Sequence, residues 1–196
     1  MKRLAAVTLG LALLSGCVAP VGPVEVTRFH VPELSRLGRG SISVEPASGI
    51  DGQSMEYRTY AGAVARQLVL AGYAEQVAGR SSEQIAVVRV SRESFQPERA
   101  GSPVSVGVGG STGSYGSGVG VGIGLNLSGP PPAQVRTQLS VTIRERASGA
   151  ALWEGRASFT VRADSPMADT PLGAAKLAEA LFAGFPGTSG ETIQVK

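Results

Sequence analysis

Between Val135 and Val161 apolar and polar residues alternate almost without a break. Val135, Leu139, Val141 and Ile143 are interleaved with Arg136, Gln138, Ser140, Thr142 and Arg144. After Ala147-Ser148-Gly149-Ala150 the pattern resumes, with Trp153, Ala157, Phe159 and Val161 set against Glu154, Arg156, Ser158 and Thr160. A period of two turns one side of a strand toward a core and the other toward water, so this stretch predicts a long antiparallel hairpin with one buried face. Elsewhere the period lengthens. Tyr57, Tyr60, Ala61, Val64, Leu68 and Ala71 recur at steps of three and four, predicting a helix from Met55 that Ser54 caps and Gly72 ends. The two tyrosines are candidates for lining a ligand site, but at this spacing they read as core. A second stripe, Ala174, Leu177, Ala178, Leu181, Phe182 and Phe185, predicts another helix with Thr170 as N-cap, Pro171 in its first turn and a stop at Gly184 to Pro186. Shorter strands are expected at Val24 to Val31, Ser41 to Glu45 and Ile85 to Val90, and a closing edge strand at Glu191 to Val195. The sum is an α+β fold: two helices packed on one face of a mostly antiparallel β-sheet, with the other face wet or covered by a partner.

A third pattern interrupts this plan within residues 101–132. Val104, Val106 and Val108, then Val119, Val121, Ile123, Leu125 and Leu127, alternate with Gly, Ser and Asn up to Pro130-Pro131-Pro132. Two strands pairing around a Gly110 to Gly118 turn would carry one apolar face and one nearly bare face. Each glycine costs a strand roughly 0.5–1 kcal/mol of conformational entropy, so such a hairpin needs compensation. One reading is a hairpin that docks onto a protein partner, a membrane surface or another copy of the chain. The other is a flexible surface loop.

The front of the chain has its own grammar. Met1-Lys2-Arg3 precedes an apolar run from Leu4 to Leu14 and then Ser15-Gly16-Cys17, the order of a secretory signal. About 20 helical residues are needed to cross a bilayer, so the run is too short for a permanent anchor. Leu14-Ser15-Gly16-Cys17 resembles the lipobox of bacterial lipoproteins. The resemblance implies a signal cleaved after residue 16 and a Cys17 that carries S-diacylglycerol and N-acyl chains. Two or more acyl chains hold a protein stably to a membrane. Val18 after the lipidated cysteine implies transfer to the outer membrane, facing the periplasm. Residues 17–23, rich in Pro and Gly, read as a tether, and 24–196 as one domain.

Charge and candidate chemistry narrow the functions. The formal charge of +3 includes Lys2 and Arg3, so the mature chain stands near +1, and no basic cluster with interleaved aromatics speaks for nucleic acid. Cys17 is the single cysteine and His30 the single histidine, which excludes a disulfide and a typical zinc site. Neither G-x-G-x-x-G nor a P-loop occurs, and no cofactor is expected. Gly109-Gly110-Ser111-Thr112-Gly113 matches the G-x-S-x-G elbow of hydrolases, but that triad needs a histidine downstream and His30 lies upstream, so a hydrolase using Ser111 is the third and weakest reading. Glu83, Glu93, Glu98 and Asp164 stand isolated rather than as an acid/base pair.

The hairpin carries one further resemblance. Thr137 to Ser158, with Leu152-Trp153-Glu154-Gly155, is similar to the strand-turn-strand signature of the bacterial lipoproteins called the domain of unknown function 4136 family (DUF4136). Those proteins also carry a glycine-rich insert before the hairpin and a helix after it. The family has no assigned activity, so the resemblance implies location and no site residues. The expectation is a non-enzymatic binding or scaffolding lipoprotein at the outer membrane, held there by membrane lipid through Cys17 and meeting another envelope protein or itself through the hairpin. The alternative is an accessory lipoprotein of an envelope transport system that binds lipid or glycolipid.

Overall fold

A computed structural model describes residues 22–75, 81–98, 104–113, 116–125 and 130–196. The leader and Cys17 lie outside the described residues, as do 101–103, 114–115 and 126–129 of the glycine-rich segment. In chain order the elements are β1 (Val24–His30), β2 (Ser41–Pro46), α1 (Met55–Leu70), β3 (Ala74–Glu75), β4 (Gln84–Phe95), β5 (Val104–Gly113), β6 (Gly116–Leu125), β7 (Gln134–Glu145), β8 (Ala151–Arg162), a 3-10 turn (Pro166–Ala168), α2 (Thr170–Phe182) and β9 (Thr192–Val195).

Among the described residues seven strands form one sheet in the order β3-β2-β4-β7-β8-β1-β9. The hairpin β7–β8 is its centre, with Leu139 opposite Ala157, Val141 opposite Gly155 and Ile143 opposite Trp153. Inward residues of four strands, among them Val26, Val88, Val141 and Ala157, share one core with Tyr60, Val64 and Leu68 of α1 and Leu177, Ala178 and Leu181 of α2. Arg136, Arg144 and Arg156 on the opposite parity are exposed. The chain is therefore α+β, two helices with a mixed, mostly antiparallel sheet.

The sheet departs from the expected pattern at its β2 edge. β2 pairs parallel to both β3 and β4. The cause is α1, which lies between β2 and β4 in the chain and carries it back to the starting end of the sheet, as a βαβ crossover does. β4 also runs past the expected Val90 to Phe95, because β7 accompanies it along its whole length from Gln84–Glu145 to Phe95–Gln134.

Both helices keep their expected stripes with adjusted ends. Ser54 Oγ accepts the Tyr57 N–H at 3.2 Å, as expected, and Ala63 replaces Ala61 and Ala71 in the buried set of α1. Beyond α1, Gly72 takes φ +102°, and an added Cβ would lie 2.6 Å from the Gly38 carbonyl oxygen, so the end of the helix abuts the β1–β2 loop backbone to backbone. The N-cap of α2 is Asp169, not Thr170, and its side chain makes no capping bond. The preceding 3-10 turn, capped by Ser165, runs straight into the helix and leaves Asp169 extended at φ −74°, ψ 134°. α2 stops at Phe182, and Gly184 at φ +69° turns the chain so that Phe185 still packs on the core.

β5 and β6 form a separate two-stranded antiparallel sheet. They extend further toward each other than the expected 110–118 turn, reaching Gly113 opposite Gly116.

Candidate functional site

A cleft of about 610 Å3 lies where the β1–β2 loop, the start of β4 and the β7–β8 turn meet. Three arginines line it, Arg36, Arg39 and Arg146, together with Ser35, Ser82, Glu83 and Glu145.

Gln84, buried at the start of β4, organises the loop that carries two of these arginines. Its side-chain amide donates to the carbonyls of Arg36 at 2.9 Å and Arg39 at 3.2 Å, and its Oε1 accepts from the Tyr73 hydroxyl at 3.2 Å. A buried amide with its oxygen and both N–H donors engaged fixes the loop at little net cost. Arg146 is held in the same way. Its Nε donates to the Ser82 carbonyl at 2.9 Å, and its Nη2 to Ser43 Oγ at 2.8 Å, Ser82 Oγ at 3.0 Å and Glu45 Oε1 at 2.7 Å. Arg36 pairs with Glu145, which also accepts from Ser148 Oγ. Glu83 lies over Gly40, where an added Cβ would fall 2.4 Å from its Oε2.

Fixed guanidinium forks beside serine hydroxyls suit the planar oxygens of a carboxylate or the oxygens of a phosphate. The groups whose pKa is displaced lie outside the cleft. Burial pushes the phenol of Tyr60 up to about 12 and also raises those of Tyr57 and Tyr73. Burial lowers the Arg28 guanidinium, which Glu191 partly offsets. Asp164 is held down by its hydrogen bond from Arg162.

The tyrosines give a checkable pH dependence. Each phenol holds its proton more tightly in the folded chain than at its ordinary value of 10.0. Their contribution is fully present below pH 10 and is lost as pH rises through the raised values, about 12 for Tyr60. Tyrosinate absorbance should therefore lag behind that of the urea-unfolded chain above pH 10, then rise together with loss of circular dichroism. Three tyrosines titrating at the unfolded value in a still-folded protein would contradict it.

Most residues singled out in the sequence are not in the cleft. Tyr57 and Tyr60 are core, 7% and 1% exposed, and the Tyr57 hydroxyl has no hydrogen-bond partner among the described residues. His30 stands in β1 opposite Trp153, its Nδ1 2.8 Å from the Val31 carbonyl oxygen. Ser111 stands in β5 opposite Gly118 and belongs to the other sheet. Of the isolated acids, Glu83 lines the cleft, Glu93 lies in β4 opposite Arg136, and Asp164 pairs with Arg162. Among the described residues no three of His, Cys, Asp and Glu come together as a metal would require, and no helix is long and apolar enough to cross a membrane. In the sequence Arg36, Arg39 and Arg146 look like ordinary solvated bases. Only the pairing of distant segments assembles them.

No family model matches the chain. Over 63 residues, 32% of its length, the chain is 36% identical to an uncharacterized protein of Zymomonas mobilis subsp. mobilis, and it spans 24% of that relative. Among solved structures it is similar to a PDZ domain protein from Parabacteroides distasonis, with a TM-score of 0.46 and 10% identity over 98% of this chain and 42% of that one. It is also similar to a chain of the PelC dodecamer from Paraburkholderia phytofirmans, with a TM-score of 0.39 and 11% identity over 82% of this chain and 98% of that one. Both likenesses are distant.

Proposed function

We propose that the chain is a lipid-anchored envelope protein whose α+β domain binds or scaffolds another component at the periplasmic side of the outer membrane, without catalysis of its own. The observation that carries this reading is Leu14-Ser15-Gly16-Cys17 behind a basic and apolar leader, with Cys17 the single cysteine of the chain. Kinship with the domain of unknown function 4136 family is part of the same proposal. Its signature residues Trp153 and Gly155 are in contact here, so the Trp-x-Gly spacing has a packing reason. The finer element is the glycine-rich hairpin, with Val104, Val106, Val108, Val119, Val121, Ile123 and Leu125 as the docking surface.

Replacing the anchor tests the reading. Cys17→Ser expressed in a Gram-negative host is expected to leave the outer-membrane fraction for the soluble periplasm and to lose the acyl mass of its N-terminal peptide. A parent protein that carries no acyl mass and fractionates like the variant would overturn it.

The arginine cleft favours a second reading, an accessory lipoprotein of an envelope transport system that takes the anionic headgroup of a lipid or glycolipid. Lipid extracted with the purified full chain, and reduced in Arg39→Glu, would favour it. Identical extracts from the two proteins would count against it.

A further inference from the structure

The cleft at the start of β4 is more nearly neutral than its three arginines suggest. Arg36 is paired with Glu145, and Arg146 with Glu45. Two charged side chains of the lining remain, the cation Arg39 and the anion Glu83. Both are exposed, and neither forms an ion pair with the other or with any described residue. Their backbones are fixed all the same. The Arg39 carbonyl accepts from Gln84, the Glu83 N–H donates to Ser41 Oγ at 3.0 Å, and the Glu83 carbonyl accepts from the Arg146 N–H at 2.9 Å. Gly40, at φ +77°, leaves empty the space into which the Glu83 carboxylate leans.

This balance selects the ligand. A multiply charged anion in the cleft meets Glu83 and Glu145 as well as Arg39, and like charges repel. A ligand carrying both signs meets an opposite charge at each end. The guanidinium fork matches the two oxygens of a carboxylate, and an ammonium brings three donors to an acceptor such as Glu83. A cleft of about 610 Å3 has room for the end of a peptide around such a group.

The cleft also lies at the end of the sheet opposite to where the chain enters. Glu25, next to the first residue of β1, stands level with Ser158, Gln138 and Ser91 across the sheet. Gln84 lies seven positions back along β4 from Ser91, roughly 23 Å at ~3.3 Å per residue. A domain held through Cys17 and a short tether before β1 thus turns this cleft away from the membrane that carries it. The headgroups of that membrane stand at the other end of the sheet.

We infer that the cleft binds an α-amino-acid zwitterion, an ammonium and a carboxylate on one carbon, with Arg39 taking the carboxylate and Glu83 the ammonium. Cell-wall peptides expose this group at the side-chain end of meso-diaminopimelate. The inference rests on the envelope-scaffold reading for the source of the ligand, and on the cleft alone for its chemistry.

The test is calorimetric titration of the full chain, purified in detergent, with two soluble peptides. One is an N-acetylated cell-wall tripeptide ending in meso-diaminopimelate. The other ends in lysine, which keeps the ammonium and lacks the carboxylate beside it. The parent is expected to bind the lysine peptide about tenfold more weakly or worse, the loss of one charge-assisted contact. Arg39→Gln is expected to erase that difference by weakening the diaminopimelate peptide alone, and Glu83→Gln to weaken both. Only variants whose Trp153 emission matches the parent are compared. Equal binding of the two peptides by the parent, no binding of either, or a preference that survives Arg39→Gln overturns the inference. Glycerophosphoethanolamine binding more tightly than either peptide also overturns it and returns the cleft to the lipid-headgroup reading. Co-sedimentation with purified cell-wall sacculi, lost in Arg39→Gln, places the ligand in the wall; peptide binding without co-sedimentation keeps the chemistry and makes free peptides the source. The fractionation of Cys17→Ser tests the anchored reading separately, and none of these outcomes alters it.

Discussion

Arg28→Ala should lower the free energy of unfolding by about 3–5 kcal/mol, read as a fall in the urea midpoint at unchanged slope. Arg28 lies on the inward side of β1 and is 4% exposed. Its Nε donates to the Leu181 carbonyl at 2.9 Å and its Nη2 to the Ala180 carbonyl at 2.9 Å, in the last turn of α2. Those carbonyls have few partners within the helix, and a cation there is favoured by the helix dipole. Truncation leaves them in an apolar surround and opens a cavity beneath the C-terminal loop. Gly187, where a Cβ would fall 2.7 Å from Nη1, lets that loop pass directly over the guanidinium. Arg28→Met keeps the stem and should recover the packing but not the hydrogen bonds. A midpoint for Arg28→Met equal to that of the parent would show the bonds to be unimportant.

Trp153→Ala should cost a similar amount, about 3–5 kcal/mol, followed by circular dichroism because the reporter indole is removed. Trp153 is 1% exposed. It stacks on Phe182 with ring centroids 5.4 Å apart, meets Phe185 at 5.3 Å, and donates through Nε1 to the Pro186 carbonyl at 3.0 Å. One side chain of β8 thus clamps the end of α2 and the loop behind it. Gly155 is its complement. An added Cβ would lie 2.2 Å from Trp153 Cη2 and 2.8 Å from Leu181 Cδ1. Gly155→Ala alone should lose about 1–3 kcal/mol by overpacking. In a Trp153→Leu background most of that loss should vanish, and additive losses in the double variant would refute direct contact.

These two sites mark how far the sequence was legible. The β7–β8 hairpin and the α2 stripe announce themselves because one buried face writes a period into each element, 12 residues in each strand and 13 in the helix. Trp153, Phe159, Leu177 and Leu181 could be placed in the core before any coordinates. Arg28 could not, because nothing near it in the chain shows that carbonyls more than 150 positions later will need its donors. The parallel pairing of β2 with β4 was hidden for a related reason. Six residues carry no signal of direction, and the decision belongs to the crossover through α1. The cleft is the extreme case. Gln84 acquires meaning only once Arg36, Arg39 and Tyr73 surround it, and Arg146 only once Ser43, Glu45 and Ser82 do.

The place of β1 in the sheet also has a consequence in time. Val26 is paired on one side with Ala157 and on the other with Ile193. β1 therefore pairs only with strands that come far later in the sequence, and the loop closure that joins them must wait until β8 and β9 have been made. A chain interrupted before Ala151 has α1 and β1 but neither the β8 strand nor the α2 helix that bury them. Such an intermediate stays loose, and β1 locks into the sheet only once β8 and β9 have been made.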